Sequence, residues 1–125
     1  MTKQCVNVDA LPKAGPYSHA VVCGGFVFVS GNVPIDPKTG DPIKGDIGKA
    51  TRAILKNIET ILKEAGSDIT KVVKTTIFLT EMSAFGEVNA VYGEVFKENP
   101  PARSTVGVRE LPGGFEIEIE AIARV

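Results

Sequence analysis

The strongest constraint on the fold lies near the C-terminus, where Phe115-Glu-Ile-Glu-Ile-Glu-Ala-Ile-Ala-Arg124 alternates residue by residue. A period of two is that of a β-strand. It places Phe115, Ile117, Ile119, Ala121 and Ala123 on one face and Glu116, Glu118, Glu120, Ile122 and Arg124 on the other. The first face belongs in a core. The second stacks three carboxylates in a row, and like charges repel along a strand, so it either lies open to water or meets cations and partner chains. The chain must therefore build a sheet with one apolar face.

The other segments supply that sheet and its cover. Tyr17 to Cys23 and Phe26 to Val33 are rich in valine and aromatic residues and are joined at Gly24-Gly25, which predicts a hairpin. A short strand is expected near Val6 to Val8. From the N-cap Asp46, apolar residues recur at Ala50, Ile54, Ile58, Ile61, Leu62 and Ala65, a helical stripe ended by Gly66. The opposite face, with Lys49, Arg52, Lys56, Glu59, Lys63 and Glu64, reads as solvated.

Lys71 to Thr80 is dense in β-branched residues and apolar on both faces, which predicts a central strand. Ser83 is placed to cap a second helix with a stripe at Phe85, Val88, Val91 or Tyr92, Val95 and Phe96, stopped by Asn99-Pro100-Pro101. Arg103 to Arg109 and Phe115 to Arg124 then read as a second hairpin through Leu111-Pro-Gly-Gly114. The order β-β-α-β-α-β-β, with the short first strand, predicts an α+β layer fold.

Composition narrows the class of function. A chain of 125 residues with 43% hydrophobic and 23% charged residues suits one globular domain spanning residues 1–125. Fourteen basic against fifteen acidic residues leave a net charge of -1, which supplies no general field for nucleic acid or anionic membranes. The two cysteines, Cys5 and Cys23, make neither a CxxC motif nor a disulfide framework, and a single histidine offers no metal cluster. No secretory leader pattern or membrane-length apolar run is present, so a cytoplasmic protein is expected.

The acidic face directs attention to Arg103. In the expected second hairpin, Arg103 and Thr105 lie opposite the stretch from Glu118 to Glu120. An arginine held on a strand beside a glutamate keeps donors free, and its planar fork matches a carboxylate. A neighbouring glutamate can orient water or pass protons. No nucleophilic triad is identifiable.

Motifs spread along the chain then show a family likeness. Gly15-Pro-Tyr-Ser-His-Ala20, Val29-Ser-Gly-Asn32 followed by Pro34, Val73-Lys-Thr-Thr76 continuing to Phe78, Val88-Asn-Ala-Val-Tyr92, Pro101-Ala-Arg-Ser104 and Ile117-Glu-Ile-Glu-Ala-Ile-Ala123 occur in this order. Together they closely resemble the reactive intermediate deaminase (Rid, or YjgF-type) family, in its RidA branch.

The resemblance implies a chorismate-mutase-like α+β domain, a six-stranded mixed sheet with two helices on one face, assembled as a homotrimer with sites between subunits. It implies hydrolysis of enamine and imine acids such as 2-aminoacrylate, released by pyridoxal-phosphate-dependent dehydratases, to 2-keto acids and ammonia, with no cofactor. By position, Arg103 corresponds to the carboxylate-binding arginine and Glu118 to the glutamate that positions water. Tyr17, Ser30, Gly31, Asn89 and Thr105 correspond to substrate-binding positions. Thr105 departs from the branch, which commonly carries cysteine there; threonine keeps a hydrogen-bonding group and loses the thiol.

His19 is expected to have a structural or cleft-edge role, and Cys5 and Cys23 to be ordinary strand residues. Two other functions fit the same resemblance in part: an RNA-directed translation inhibitor or endoribonuclease, and a non-enzymatic trimer that holds small acids or client proteins. Near-neutral charge and the absence of tryptophan weigh against the first. Turnover distinguishes the second.

Overall fold

The computed structural model describes residues 2–125. Six strands, β1 (Gln4–Val6), β2 (Ala20–Cys23), β3 (Phe26–Asn32), β4 (Val72–Leu79), β5 (Ala102–Gly107) and β6 (Ile117–Arg124), form one mixed sheet. Two helices, α1 (Ile47–Glu64) and α2 (Phe85–Val95), accompany it. The strand order is β1-β2-β3-β6-β4-β5, with β4 and β5 parallel and all other neighbours antiparallel.

The C-terminal alternation holds as expected. Phe115, Ile117, Ile119, Ala121 and Ala123 are buried, whereas Glu116, Glu118 and Ile122 are half-buried and Glu120 and Arg124 exposed. Ile117, Ile119, Ala121 and Ala123 pack with Val27, Val29, Ile77 and Leu79 against Ile54, Ile58, Ile61 and Leu62 of α1. Each fully buried aliphatic side chain of this kind contributes about 1.5–3 kcal/mol relative to exposure. The other sheet face has no helix over it and presents Phe26, Phe28 and Val106 to solvent.

The ends of α1 follow local chemistry. The Asp46 carboxylate accepts from Lys49 N–H at 3.1 Å, capping the first turn. Gly66 adopts a φ of 82°, and Ser67 N–H reaches back to the Leu62 carbonyl at 2.8 Å, closing the last turn. Helix α2 starts differently from expectation. Ser83 lies inside a tight turn, Met82–Ala84, and Ala84 precedes the helix without a side-chain cap.

The larger correction concerns the second hairpin, which does not form. β5 pairs with β4, not with β6, because α2 carries the chain back to run parallel to β4. β6 then enters on the opposite side of β4. Residues 108–116 bridge the end of β4: Val108 N–H bonds to the Leu79 carbonyl at 2.8 Å, and Thr80 N–H bonds to the Glu116 carbonyl at 3.1 Å. Two residues that should have faced each other are therefore kept apart by a whole strand.

Candidate functional site

Arg103 sits on the edge strand β5 beside Thr75 of β4, and both side chains project to the helix-covered face. There α2 presents Phe85, Asn89 and Tyr92 at a spacing of four and then three residues, which puts all three on one stripe. Arg103 Nη1 donates to Asn89 Oδ1 at 2.8 Å. Its Cζ lies 4.9 Å from the Tyr92 ring centroid and 5.5 Å from that of Phe85, within cation–π range.

Among the described residues no acidic side chain pairs with Arg103. The guanidinium is thus oriented by neutral groups. A planar cation with donors to spare is a receptor for a carboxylate. Thr105 lies two residues further along the same face of β5, and its buried Oγ1 has no protein partner.

Glu118 belongs to a second constellation. It projects from β6 to the uncovered face, opposite Phe78, while β4 stands between it and Arg103. Arg103 and Glu118 thus point to opposite sides of the sheet, which corrects the expected facing pair. Glu118 lines a cleft of about 450 Å³ with Tyr17, Ser30, Gly31, Pro112 and Phe115. Four of the expected site residues, Tyr17, Ser30, Gly31 and Glu118, therefore meet here, and three others, Asn89, Arg103 and Thr105, meet on the far side.

The cleft is braced locally. Ser30 Oγ donates to the Ser18 carbonyl at 2.6 Å, and Tyr17 OH accepts from Ala14 N–H at 3.3 Å. Its far wall is tied down by Lys44 Nζ on the Gly113 carbonyl and by Gly45 N–H on Glu116 Oε1, each at 2.7 Å. Gly31 allows Glu118 to approach closely: a Cβ there would stand 2.8 Å from Glu118 Cδ, so the carboxylate would have to move.

Burial pushes the Glu118 carboxyl above the ordinary glutamate range, and the charge of Glu120 adds to the shift. A carboxyl of this kind holds its proton to higher pH than an exposed one.

His19 is buried, and its ring clamps the N-terminal segment: Nδ1 accepts from Val8 N–H at 2.9 Å, and Nε2 faces the Pro12 carbonyl at 3.3 Å. These contacts leave Nε2 as the protonated nitrogen and support the structural role expected for this residue. Among the described residues no group of three or more His, Cys, Asp or Glu could hold a metal ion, and no helix is long and apolar enough to cross a membrane.

Phe85, Tyr92 and Thr75 around Arg103, and Phe115 in the cleft, were not singled out from sequence as site residues. The spacing of Phe85, Asn89 and Tyr92 was the available signal for the first two. It identifies one helix stripe but not what that stripe faces.

Comparison with known proteins places the chain in a known lineage. Residues 7–125 match the family model described as Endoribonuclease L-PSP. A RutC family protein of Pyrococcus abyssi is 46% identical over 124 residues, covering 98% of each chain. The human 2-iminobutanoate/2-iminopropanoate deaminase is 44% identical over 124 residues, covering 98% of this chain and 90% of its own. Among solved structures, YyfA of Yersinia pestis, a protein of the conserved Rid family, superposes with a TM-score of 0.93 at 46% identity, covering 99% of this chain and 100% of its own.

Proposed function

Because the chain belongs to the YjgF/Rid family, the one whose model is described as Endoribonuclease L-PSP, we propose that it is an enamine/imine deaminase of the cytoplasm. Its substrates on this reading are short 2-imino acids, among them 2-aminoacrylate in its imine form. The single observation that carries the proposal is the Arg103 guanidinium, held at 2.8 Å by Asn89 and without a counter-ion among the described residues.

The reaction needs little beyond positioning. Arg103 holds the carboxylate and so fixes C2, the carbon of the imine. Water adds to C2 while a proton moves to the imine nitrogen, giving a 2-amino-2-hydroxy acid. Loss of ammonia from that intermediate, as its hydroxyl gives up a proton, leaves the 2-keto acid. Glu118 relays the proton of the attacking water to the imine nitrogen in the first step and the proton of the hydroxyl to the departing nitrogen in the second. Tyr17, Ser30, Gly31 and Thr105 shape the space around C2 and its side chain. Ionic and hydrogen-bond chemistry suffices, so no cofactor enters the scheme.

The two half-sites lie on opposite faces, so the proposal includes a homotrimer in which Arg103 of one copy meets the Glu118 cleft of the next. The uncovered sheet face, with Phe26, Phe28 and Val106 exposed, supports such burial between copies. The human relative's name supports the chemistry.

The test generates 2-aminoacrylate in place with a serine dehydratase and follows pyruvate. Wild type should accelerate imine decay, and Arg103→Ala should abolish the effect with fold and assembly intact. No acceleration by wild type, or full activity in the arginine variant, would sink the proposal. RNA cleavage that persists through further purification and disappears with Arg103→Ala would favour instead the activity named in the family description.

A further inference from the structure

Thr75 is a polar residue in the middle of the covered sheet face, only 1% exposed, between Arg103 on β5 and Ala121 on β6. A hydroxyl so buried costs stability unless it is bonded. Its partner is Tyr92 of α2: Thr75 Oγ1 and Tyr92 OH share a buried hydrogen bond of 2.6 Å. Tyr92 is itself 6% exposed, and Phe96 packs against its ring at 4.7 Å between centroids. The ring is therefore fixed at its tip by Thr75 and on its flank by Phe96. Its π-face is what Arg103 meets, at 4.9 Å.

This arrangement goes beyond packing. A stacked aromatic orients a guanidinium without neutralising it, whereas a carboxylate in the same place would compete with any incoming anion. Burial holds the Tyr92 phenol above its usual range, although Thr75 and Arg103 oppose the shift. The ring consequently stays uncharged at neutral pH and leaves the arginine uncompensated.

We propose that Thr75 and Tyr92 are positioning residues for Arg103: the threonine hydroxyl locks the tyrosine ring, and the ring seats the guanidinium in the orientation that receives a carboxylate. This deepens the deaminase reading and rests on it for the identity of the anion. The chain of contacts runs from the sheet core through α2 to the edge strand. It also accounts for a threonine at a position whose neighbours in β4, Ile77 and Leu79, are aliphatic.

The experiment uses the full chain and four proteins: wild type, Tyr92→Phe, Thr75→Val and Tyr92→Leu. Two readouts are taken, the affinity for 2-oxobutanoate by calorimetric titration and the Arg103 Nε–H resonance, whose shift reports the ring beside it. Tyr92→Phe and Thr75→Val should each weaken 2-oxobutanoate binding several-fold and move the arginine resonance. Tyr92→Leu should weaken binding on the order of tenfold or more. In all three, kcat for 2-aminoacrylate should fall less than affinity.

Unchanged affinity and an unmoved arginine resonance in both Tyr92→Phe and Thr75→Val would overturn the proposal, whatever Tyr92→Leu does to folding. The two readings fail separately. Wild type that binds 2-oxobutanoate in a Tyr92-dependent way yet leaves 2-aminoacrylate decay unaccelerated contradicts the deaminase reading and upholds the positioning role. Acceleration with no dependence of binding on Tyr92 or Thr75 does the reverse.

Discussion

Asn89 Oδ1 accepts a hydrogen bond from Arg103 Nη1 at 2.8 Å, so the arginine is oriented by a carboxamide and not by a carboxylate. One atom separates this arrangement from a closed ion pair. Asn89→Asp should keep the geometry, leave the melting temperature no lower, and weaken 2-oxobutanoate binding roughly tenfold or more, because an internal anion then occupies the guanidinium. Calorimetric titration beside thermal melting checks this. Undiminished binding in a folded Asn89→Asp protein would show that the free charge of Arg103 is not what the site uses.

Gly31 is packed so closely against Glu118 that an added methyl must displace the carboxylate. The obstructing atoms are the far end of a flexible side chain, so Gly31→Ala should fold with little loss of stability. Catalysis should suffer more, because a misplaced acid-base group of about an ångström can cost on the order of a hundredfold in rate. Pyruvate formation from 2-aminoacrylate, measured together with melting, separates the two effects. Equal and small changes in both would mean that the position of Glu118 is immaterial to turnover.

The titration of Glu118 gives a signed prediction for stability. Burial and then the Glu120 charge disfavour its anion; β3 carries no charged residue, and Lys74 of β4 is engaged with Thr75 O and Thr76 Oγ1. The folded protein therefore holds this proton more tightly than the unfolded chain does. The contribution is fully present below the ordinary glutamate range and is lost as pH rises through the higher folded value. Glu118→Gln should gain in melting temperature on wild type as pH rises from the ordinary glutamate range, about pH 4, through the higher folded value. A difference that stays constant across that interval contradicts the assignment.

Much of this architecture was legible in the sequence because local rules decide it. The two faces of β6 follow from alternation, and the extent of α1 follows from Asp46, its apolar stripe and Gly66. What could not be read locally was the partner of β5. The glycines of Leu111-Pro-Gly-Gly114 suit a tight turn, but pairing is settled by the crossover through α2, which delivers β5 parallel to β4.

The same limit governs the site. Arg103 and Glu118 stand out in the sequence as candidate positions, yet their placement on opposite faces depends on strand order and not on spacing. Asn89 is marked by the family likeness alone, because its contact with Arg103 depends on α2 facing β5. Thr75 and Tyr92 read as ordinary core positions, because a buried hydrogen bond between strand and helix leaves no sequence pattern.

The most direct test of the shared site mixes two inactive chains. Arg103→Ala and Glu118→Ala are co-refolded in equal amounts, so that trimers form at random from both. If Arg103 of one copy serves the Glu118 cleft of its neighbour, every mixed trimer keeps one intact site, and the mixture should recover about a quarter of wild-type imine hydrolysis. Activity no higher than that of the separate variants, with mixed trimers demonstrably present, would contradict the account.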